Sequence, residues 1–209
     1  MRAYIIATTL LLSTTFSFAQ VVNRLDDETA EQFAKRFTPE NSVLTHTVIQ
    51  TNWDLKPVII AFYDQSYKLP VQNDPDQQEY RRIIATIFIK NKNQHYNKII
   101  IDTIDSEGGD PKIESVFFAN ADKDLKKELI IISSWEQRHR DVNGTLYETS
   151  IYDNILNYDQ GKLLLLKNLS RRLSGGCECD WNDGTHKTSK FKTAADIKEE
   201  LKRLGYKYL

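Results

Sequence analysis

The stretch that decides the fold spans residues 113–152 and reads IESVFFANADKDLKKELIIISSWEQRHRDVNGTLYETSIY. Its apolar runs, at residues 113–119, 128–135 and 145–152, are short and rich in Ile, Val, Phe and Tyr, a composition that favours β-strands. Between the last two runs lies Asn143-Gly144, a pair that favours a tight hairpin turn. We therefore predict consecutive antiparallel strands, the second and third joined in a hairpin that turns at Asn143-Gly144.

Similar runs occur on both sides of this stretch. They are short, apolar and separated by polar or glycine-containing segments, and they lie at residues 43–50, 57–63, 83–90, 98–104 and 162–167. Because no long helical pattern separates the runs, a parallel sheet with crossover helices is disfavoured. This spacing predicts a largely antiparallel sheet of six to eight strands.

Helical spacing of apolar residues appears near each end of the chain. In residues 25–37, apolar side chains recur at i, i+3, i+4 and i+7 from Ala30, which places them on one helix face. In residues 193–204, Thr193 precedes the helical pattern and Asp196 follows three residues later, a spacing typical of a helix N-cap. We predict an α+β fold, mainly antiparallel β-sheet with an N-terminal and a C-terminal helix.

The first 19 residues have the pattern of a secretory signal peptide. An arginine and an apolar stretch at residues 5–12 come first, and the small residues Ser17 and Ala19 precede Gln20, as a cleavage site requires. We therefore expect residues 20–209 to fold as a single α+β domain after export to the periplasm or the cell exterior. No later apolar run reaches the length of a transmembrane helix, so no membrane-spanning segment is expected after signal removal.

The charge balance excludes one class of partner. The chain has 209 residues, with 28 Lys and Arg against 29 Asp and Glu, and a formal net charge of −1. A near-neutral chain lacks the basic surface with which proteins neutralise phosphates, so nucleic acid is excluded as a general partner. With 40% hydrophobic and 27% charged residues, the composition is that of a folded globular protein rather than a disordered or collagen-like one.

The segment between the first two runs of residues 113–152 has the spacing of a cation-binding loop. Its oxygen-bearing side chains, at relative positions 1, 3, 5 and 9, are Asn120, Asp122, Asp124 and Glu128. Alternate residues of a tight loop point inward together, and Ca²⁺ prefers several oxygen ligands. The loop resembles the calcium loop of FG-GAP and VCBS-type repeats, which carry Asp-x-Asp-x-Asp-Gly-x-x-Asp before an apolar strand. This resemblance implies that these four residues are Ca²⁺ ligands in an exported binding protein.

The loop departs from that pattern at two points. Leu125 stands where the family has the glycine of a sharp turn, and three lysines, Lys123, Lys126 and Lys127, lie beside the proposed cation site. No second copy of the loop is evident in the sequence, although propellers that carry such loops contain at least about four blades. The alternative is a metal-free loop in which the aspartates accept hydrogen bonds from backbone N–H groups.

The chain as a whole resembles small exported proteins of Bacteroidota-type bacteria. This resemblance rests on the Phe18-Ala19-Gln20 junction, on strands rich in Ile, Lys and Asn, and on the single loop at residues 120–128. It implies export and assigns no activity.

Two cysteines, Cys177 and Cys179, stand two residues apart. In an exported chain a pair of cysteines favours a disulfide, but at this separation the ring is too small to staple distant segments. Three interpretations stay open: a local, readily reduced disulfide, free thiols or pairing with another molecule, and metal binding together with His186 and Asp180. The spacing matches no standard zinc finger and no Cys-x-x-Cys redox motif.

The sequence lacks the familiar catalytic patterns. The four histidines, His46, His95, His139 and His186, do not stand at zinc-protease spacing, and no Gly-x-Ser-x-Gly motif or phosphate-binding glycine loop occurs. We therefore predict an exported, non-catalytic protein that binds an unknown protein or surface ligand, with one weak Ca²⁺ loop. The alternatives are a secreted hydrolase whose catalytic residues converge from distant strands and an inhibitor or immunity-type protein.

Overall fold

The computed structural model describes residues 20–68, 79–155 and 161–206. The first of two antiparallel sheets consists of β1 (Gln20–Asn23), β2 (Ser42–Leu44), β3 (Ile49–Trp53), β4 (Lys56–Lys68), β5 (Glu79–Lys90) and β6 (His95–Asp105). Its order is β1-β6-β5-β4-β2, and β3 also pairs with β4. The second sheet consists of β7 (Pro111–Ala119), β8 (Glu128–His139), β9 (Val142–Tyr152), β10 (Gly176–Trp181) and β11 (His186–Lys187). Its order is β11-β10-β9-β8-β7.

Three helices accompany the sheets in the described residues: α1 (Ala30–Arg36), α2 (Lys167–Leu173) and α3 (Ala194–Arg203). The predicted α+β class is confirmed, because the chain is mainly antiparallel β-sheet with helices near both ends. Most of the predicted apolar runs correspond to the long strands β4 to β9. The shorter strands, whose sequences carry weaker patterns, extend these into two sheets of six and five strands.

The helices near the two ends begin at capping boxes. Thr29 accepts a hydrogen bond from the backbone N–H of Gln32, whose side chain accepts one from the Thr29 N–H. For this reason α1 begins at Ala30 and is shorter than the predicted 25–37. Thr193 and Asp196 form the same reciprocal pair at the start of α3, as predicted. Each box satisfies backbone N–H groups that have no partner within the helix.

The two sheets pack face to face around one core. Apolar side chains of β4, β5 and β6 meet those of β8 and the end of β9 there, among them Val58, Ile60, Ile87, Leu129 and Ile131. Helix α1 covers the outer face of the first sheet, where Phe33 packs against Phe88 at a ring-centroid distance of 4.9 Å. Helices α2 and α3 cover the outer face of the second sheet. The described chain is therefore layered as helix, sheet, sheet and helices.

This layering explains the unbroken apolar start of β8. Leu129 and Ile131 face the core between the sheets, whereas Ile130 and Ile132 face α2 and α3. A strand that is covered on both faces has apolar residues at successive positions rather than an alternating pattern.

The hairpin of β8 and β9 is confirmed, but the predicted position of its turn is wrong. His139 pairs with Val142, so the turn consists of Arg140 and Asp141. Asn143 and Gly144 instead lie within β9, opposite Asp180 and Cys179 of β10. Turn propensity at Asn-Gly is overridden here because β10 approaches β9 so closely that only glycine fits at position 144. A Cβ atom on Gly144 would lie 2.2 Å from the carbonyl oxygen of Glu178.

The prediction of a strand at residues 162–167 is also wrong. Among its contacts with the sheet is an isolated bridge between Leu165 and Tyr152, and α2 begins at Lys167. The apolar run crosses from one side of the sheet to the other, since Leu163 packs into the core between the sheets and Leu166 packs under the helices. Because α2 begins at the end of this run, the pairing does not extend into a regular strand.

The predicted signal peptide, residues 1–19, lies outside the described residues. Gln20, the residue predicted to follow the cleavage site, pairs with Lys98 of β6 and so belongs to the first sheet. None of the described helices combines the length and the apolar character that crossing a bilayer requires.

We predict that Gly144→Ala destabilises the protein by about 1–3 kcal/mol, because the added methyl group would overlap backbone atoms of β10. Urea denaturation measures the effect. Asn143→Ala is the control, since the Asn143 side chain is exposed and its loss should change the free energy of unfolding by no more than about 0.5 kcal/mol. Equal stabilities of the two variants would refute the close packing of β9 on β10.

Candidate metal centre

The loop at residues 120–127 connects β7 to β8 and is closed at its base by a strand pair. Ala119, the last residue of β7, pairs with Glu128, the first residue of β8. This pairing carries Asn120 and Glu128 into the interior, where 5% and 0% of their surfaces are exposed. The two ends of the predicted cation loop are therefore buried, while its middle residues reach solvent.

Three carboxyl groups converge at the base of this loop. Asp122, Glu128 and Asp153 each present a carboxylate oxygen, and these oxygens lie within 4.8 Å of one another. Glu128 and Asp153 are buried, and Asp122 is half-buried. The described residues thus contain a buried acidic cluster that could hold a metal ion.

Strand register brings Asp153 to the site, and sequence reasoning missed this residue. Leu129 pairs with Tyr152, so the residues that precede and follow them, Glu128 and Asp153, are neighbours across the strands. The turn predicted at Asn143-Gly144 would have paired Glu128 with a position six residues further along the chain. Counting the register from the true turn, at residues 140–141, would have found Asp153.

Two buried oxygen atoms at the site have no hydrogen-bond partner among the described residues, namely Oε1 of Glu128 and Oδ1 of Asn120. The other atoms of these side chains are engaged. Oε2 of Glu128 accepts a hydrogen bond from the Ala121 N–H, and Nδ2 of Asn120 donates to the carbonyl oxygen of Asp124 at 2.5 Å. Leaving a buried acceptor unpaired costs about 1–3 kcal/mol. Both are oxygen donors of the kind that a hard cation binds.

The carboxyl groups repel one another when no cation lies between them. The pKa of Glu128 is raised to about 8, mainly by burial and in part by the charges of Asp122, Asp124 and Asp153, against a hydrogen bond from Ala121 that lowers it. Burial also raises the pKa of Asp122. A bound cation would offset this repulsion and favour the ionised forms.

Asp124 has a different role from the other predicted ligands. Its Oδ1 accepts a hydrogen bond from the Lys126 N–H at 2.6 Å, and its Oδ2 accepts one from Nδ2 of Asn154 at 3.0 Å. Oδ1 of Asp122 also accepts one, from the Asp124 N–H at 2.8 Å. These are the bonds that the metal-free interpretation predicts. Of the four predicted ligands, Asp122 and Glu128 converge, Asn120 contributes an unpaired oxygen, and Asp124 shapes the loop.

The loop does not need the glycine that FG-GAP and VCBS-type loops carry at the position of Leu125. Leu125 is not among the non-glycine residues that adopt a positive φ in the described chain. The loop therefore makes its turn in a backbone conformation that leucine tolerates.

The cysteines lie on β10, outside the acidic cluster. The structure joins Cys177 and Cys179 in a disulfide, with Cys179 buried against β9. A sulfur in a disulfide is not a thiolate and does not bind zinc. His186 and Asp180, the other two residues considered for a metal, contact each other, with Nδ1 of His186 at 2.7 Å from Oδ1 of Asp180.

β10 and β11 form a hairpin that also brings together a histidine, an aspartate and a threonine, residue types that occur in catalytic sites. Nδ1 of His186 contacts Asp180, and its Nε2 lies 3.2 Å from the hydroxyl of Thr188. The His186 and Asp180 side chains, however, are 57% and 75% exposed. Water solvates such groups, so the pairing lacks the desolvated surroundings that activate a nucleophile, and it carries no argument for a hydrolase.

Comparison with protein-family models, curated proteins and solved structures found no match to this chain. The feature that the described residues define most clearly is the acidic cluster of Asp122, Glu128 and Asp153.

We predict that Glu128 makes the metal-free protein less stable as the pH rises. Its pKa is raised in the folded state, so folded protein keeps a proton that unfolded chain has released. The stabilisation is complete below the unfolded pKa and is lost as the pH rises towards 8. In chelator, the free energy of unfolding of wild type relative to Glu128→Gln should fall by about 1.4 kcal/mol per pH unit between pH 5 and pH 7.5. Urea denaturation across this range measures the slope.

Glu199→Gln is the control for that experiment, because Glu199 is exposed on α3. This variant should follow the wild-type pH dependence. Parallel curves for wild type and Glu128→Gln would show that Glu128 titrates normally in the folded state.

Proposed function

We propose that this chain is an exported, non-catalytic binding protein whose β7–β8 loop holds one calcium ion. The single observation that carries the calcium site is the unpaired Oε1 of the fully buried Glu128, placed with the carboxylates of Asp122 and Asp153. The protein or surface ligand that it binds lies outside the cytoplasm, in keeping with the signal-peptide pattern of residues 1–19.

The donor set favours calcium over other metals. The available side-chain donors are oxygen atoms of Asn120, Asp122, Glu128 and Asp153, with neither a thiolate nor an imidazole among them. Such sets suit hard cations, whereas zinc and copper prefer nitrogen and sulfur. Calcium takes about six to eight oxygens in irregular geometry, so backbone carbonyls and water complete its shell, whereas magnesium demands a near-ideal octahedron.

Burial of the ligands supports a structural ion rather than a catalytic one. Glu128 and Asp153 are 0% and 7% exposed, so a substrate of any size would not reach an ion between them. A cation here would satisfy the unpaired oxygens and neutralise the carboxylates. It would also add to the hydrogen bonds of Asn120, Asp122 and Asp124 that help to hold the loop at residues 120–127.

We predict that calcium stabilises the folded protein and that Glu128→Gln or Asp153→Asn removes the effect. At a calcium concentration about a hundred times the dissociation constant, binding adds about 2.7 kcal/mol to the free energy of unfolding. For a domain of this size that raises Tm by roughly 5–10 °C. Calorimetric titration of chelator-treated protein gives the stoichiometry, expected to be one ion, and thermal unfolding gives the shift.

Asp141→Asn is the matched control, since Asp141 is an exposed aspartate in the β8–β9 turn. This variant should bind calcium as the wild type does. If calcium produced no heat and no Tm shift in wild-type protein, the metal-free interpretation of the loop would be established. A response to zinc alone would overturn the choice of calcium.

A further inference from the structure

The two most exposed large apolar side chains of the described residues lie beside each other. Leu55 is 95% exposed and Leu125 is 71% exposed. Both line one cleft of about 350 Å³, which also contains Trp53 and Phe118. Leu55 belongs to the turn between β3 and β4, and Leu125 belongs to the candidate calcium loop. We refer to these two loops, residues 54–56 and 123–127, as the leucine tip.

Direct contacts fix the two halves of the leucine tip to each other. The Asp54 carboxylate accepts a hydrogen bond from the Lys127 N–H at 3.2 Å, and the indole N–H of Trp53 donates to the carbonyl oxygen of Lys127. The tip is thus a structured surface, in which hydrogen bonds hold a turn of the first sheet against a loop of the second. A cation bound at Asp122 and Glu128 would hold the Leu125 side of it.

Leu55 occupies a position where turn chemistry favours another residue. Asp54 and Leu55 have φ values of 44° and 70°, in the left-handed region that glycine and asparagine adopt most readily. The chain therefore bears backbone strain at Leu55 and also exposes its apolar side chain to water. Two costs at one residue, with no packing gain to offset them, indicate a function for that side chain.

The charges around the leucine tip depend on the cation. Four exposed or half-buried lysines surround the leucines, namely Lys56, Lys123, Lys126 and Lys127. Without a cation, the carboxylates of Asp122, Asp124 and Asp153 offset much of this positive charge. A bound divalent cation would offset part of this negative charge and increase the excess of positive charge at the tip. Calcium would then make the tip attractive to an anionic surface.

We propose that the calcium-loaded leucine tip docks on an anionic lipid surface, with Leu55 and Leu125 entering the interfacial region and the lysines contacting lipid phosphates. A bilayer fits better than a folded partner, because Leu55 protrudes with almost all of its surface free and would need a deep matching pocket in a protein. Apolar burial and lysine–phosphate attraction supply the binding free energy. This inference rests on the proposed function, since bound calcium increases the positive charge of the tip.

Sedimentation with large unilamellar vesicles tests the proposal. The vesicles contain equimolar phosphatidylglycerol and phosphatidylcholine, or phosphatidylcholine alone, with calcium or with EGTA. Binding to the anionic vesicles in calcium should be at least about tenfold stronger than binding in any of the other three conditions. Leu55→Ser or Leu125→Ser should weaken it about tenfold, and Lys126→Gln about fivefold. Leu25→Ser, which removes a 61% exposed leucine elsewhere, should leave binding unchanged.

Leu55→Asn separates docking from folding. Asparagine tolerates a positive φ better than leucine, so this variant should raise the free energy of unfolding while it loses vesicle binding. A merely structural role of Leu55 would lower stability and binding together, and that outcome would overturn the proposal.

Calorimetry on the same samples distinguishes the two proposals. If calcium binds and the vesicles do not bind protein, only the docking proposal fails, and an acidic protein segment becomes the partner that fits the same chemistry. If calcium does not bind, the proposed function fails. Vesicle binding that is equal in calcium and in EGTA would overturn the role of the cation at the tip.

Discussion

Antiparallel pairing of β8 with β9 is the constraint on which both the core and the acidic cluster depend. Its register, from His139 opposite Val142 to Leu129 opposite Tyr152, brings Glu128 and Asp153 together at the end where the hairpin meets the β7–β8 loop. The same strands separate the two cores, because successive side chains of β8 face the first sheet and the helices in turn. A shift of one residue would turn each apolar side chain to the opposite face, so the register is strongly specified.

The buried position of Glu128 has an electrostatic consequence. A carboxyl group in this environment, next to two aspartates, has its pKa raised mainly by burial, so its ionised form is unfavourable unless a positive charge joins it. Hydrophobic packing of the adjacent Leu129, Ile130 and Ile131 keeps β8 in place despite this cost. The fold therefore holds the acidic group in a geometry that a hydrated surface loop would not keep.

Local conflicts between sequence and conformation gather at the same end of the sandwich. Leu55 has a positive φ and an exposed side chain, Glu128 has an unpaired oxygen, and three lysines stand beside acidic residues. At the capping boxes of α1 and α3, by contrast, the local preferences and the fold agree. Conflicts of this kind are expected at functional sites, since stability alone would remove them.

The α+β class, the long strands and the cap of α3 follow from the sequence, because apolar periodicity and capping residues act locally. The spacing of Asn120, Asp122 and Glu128 likewise identified the loop that carries most of the cluster. Tertiary structure alone decided the turn of the hairpin, since contact with β10 outweighed the turn propensity of Asn143-Gly144. It also decided the division into two sheets and the entry of Asp153 into the site, because strand partners and register depend on contacts between residues far apart in the chain.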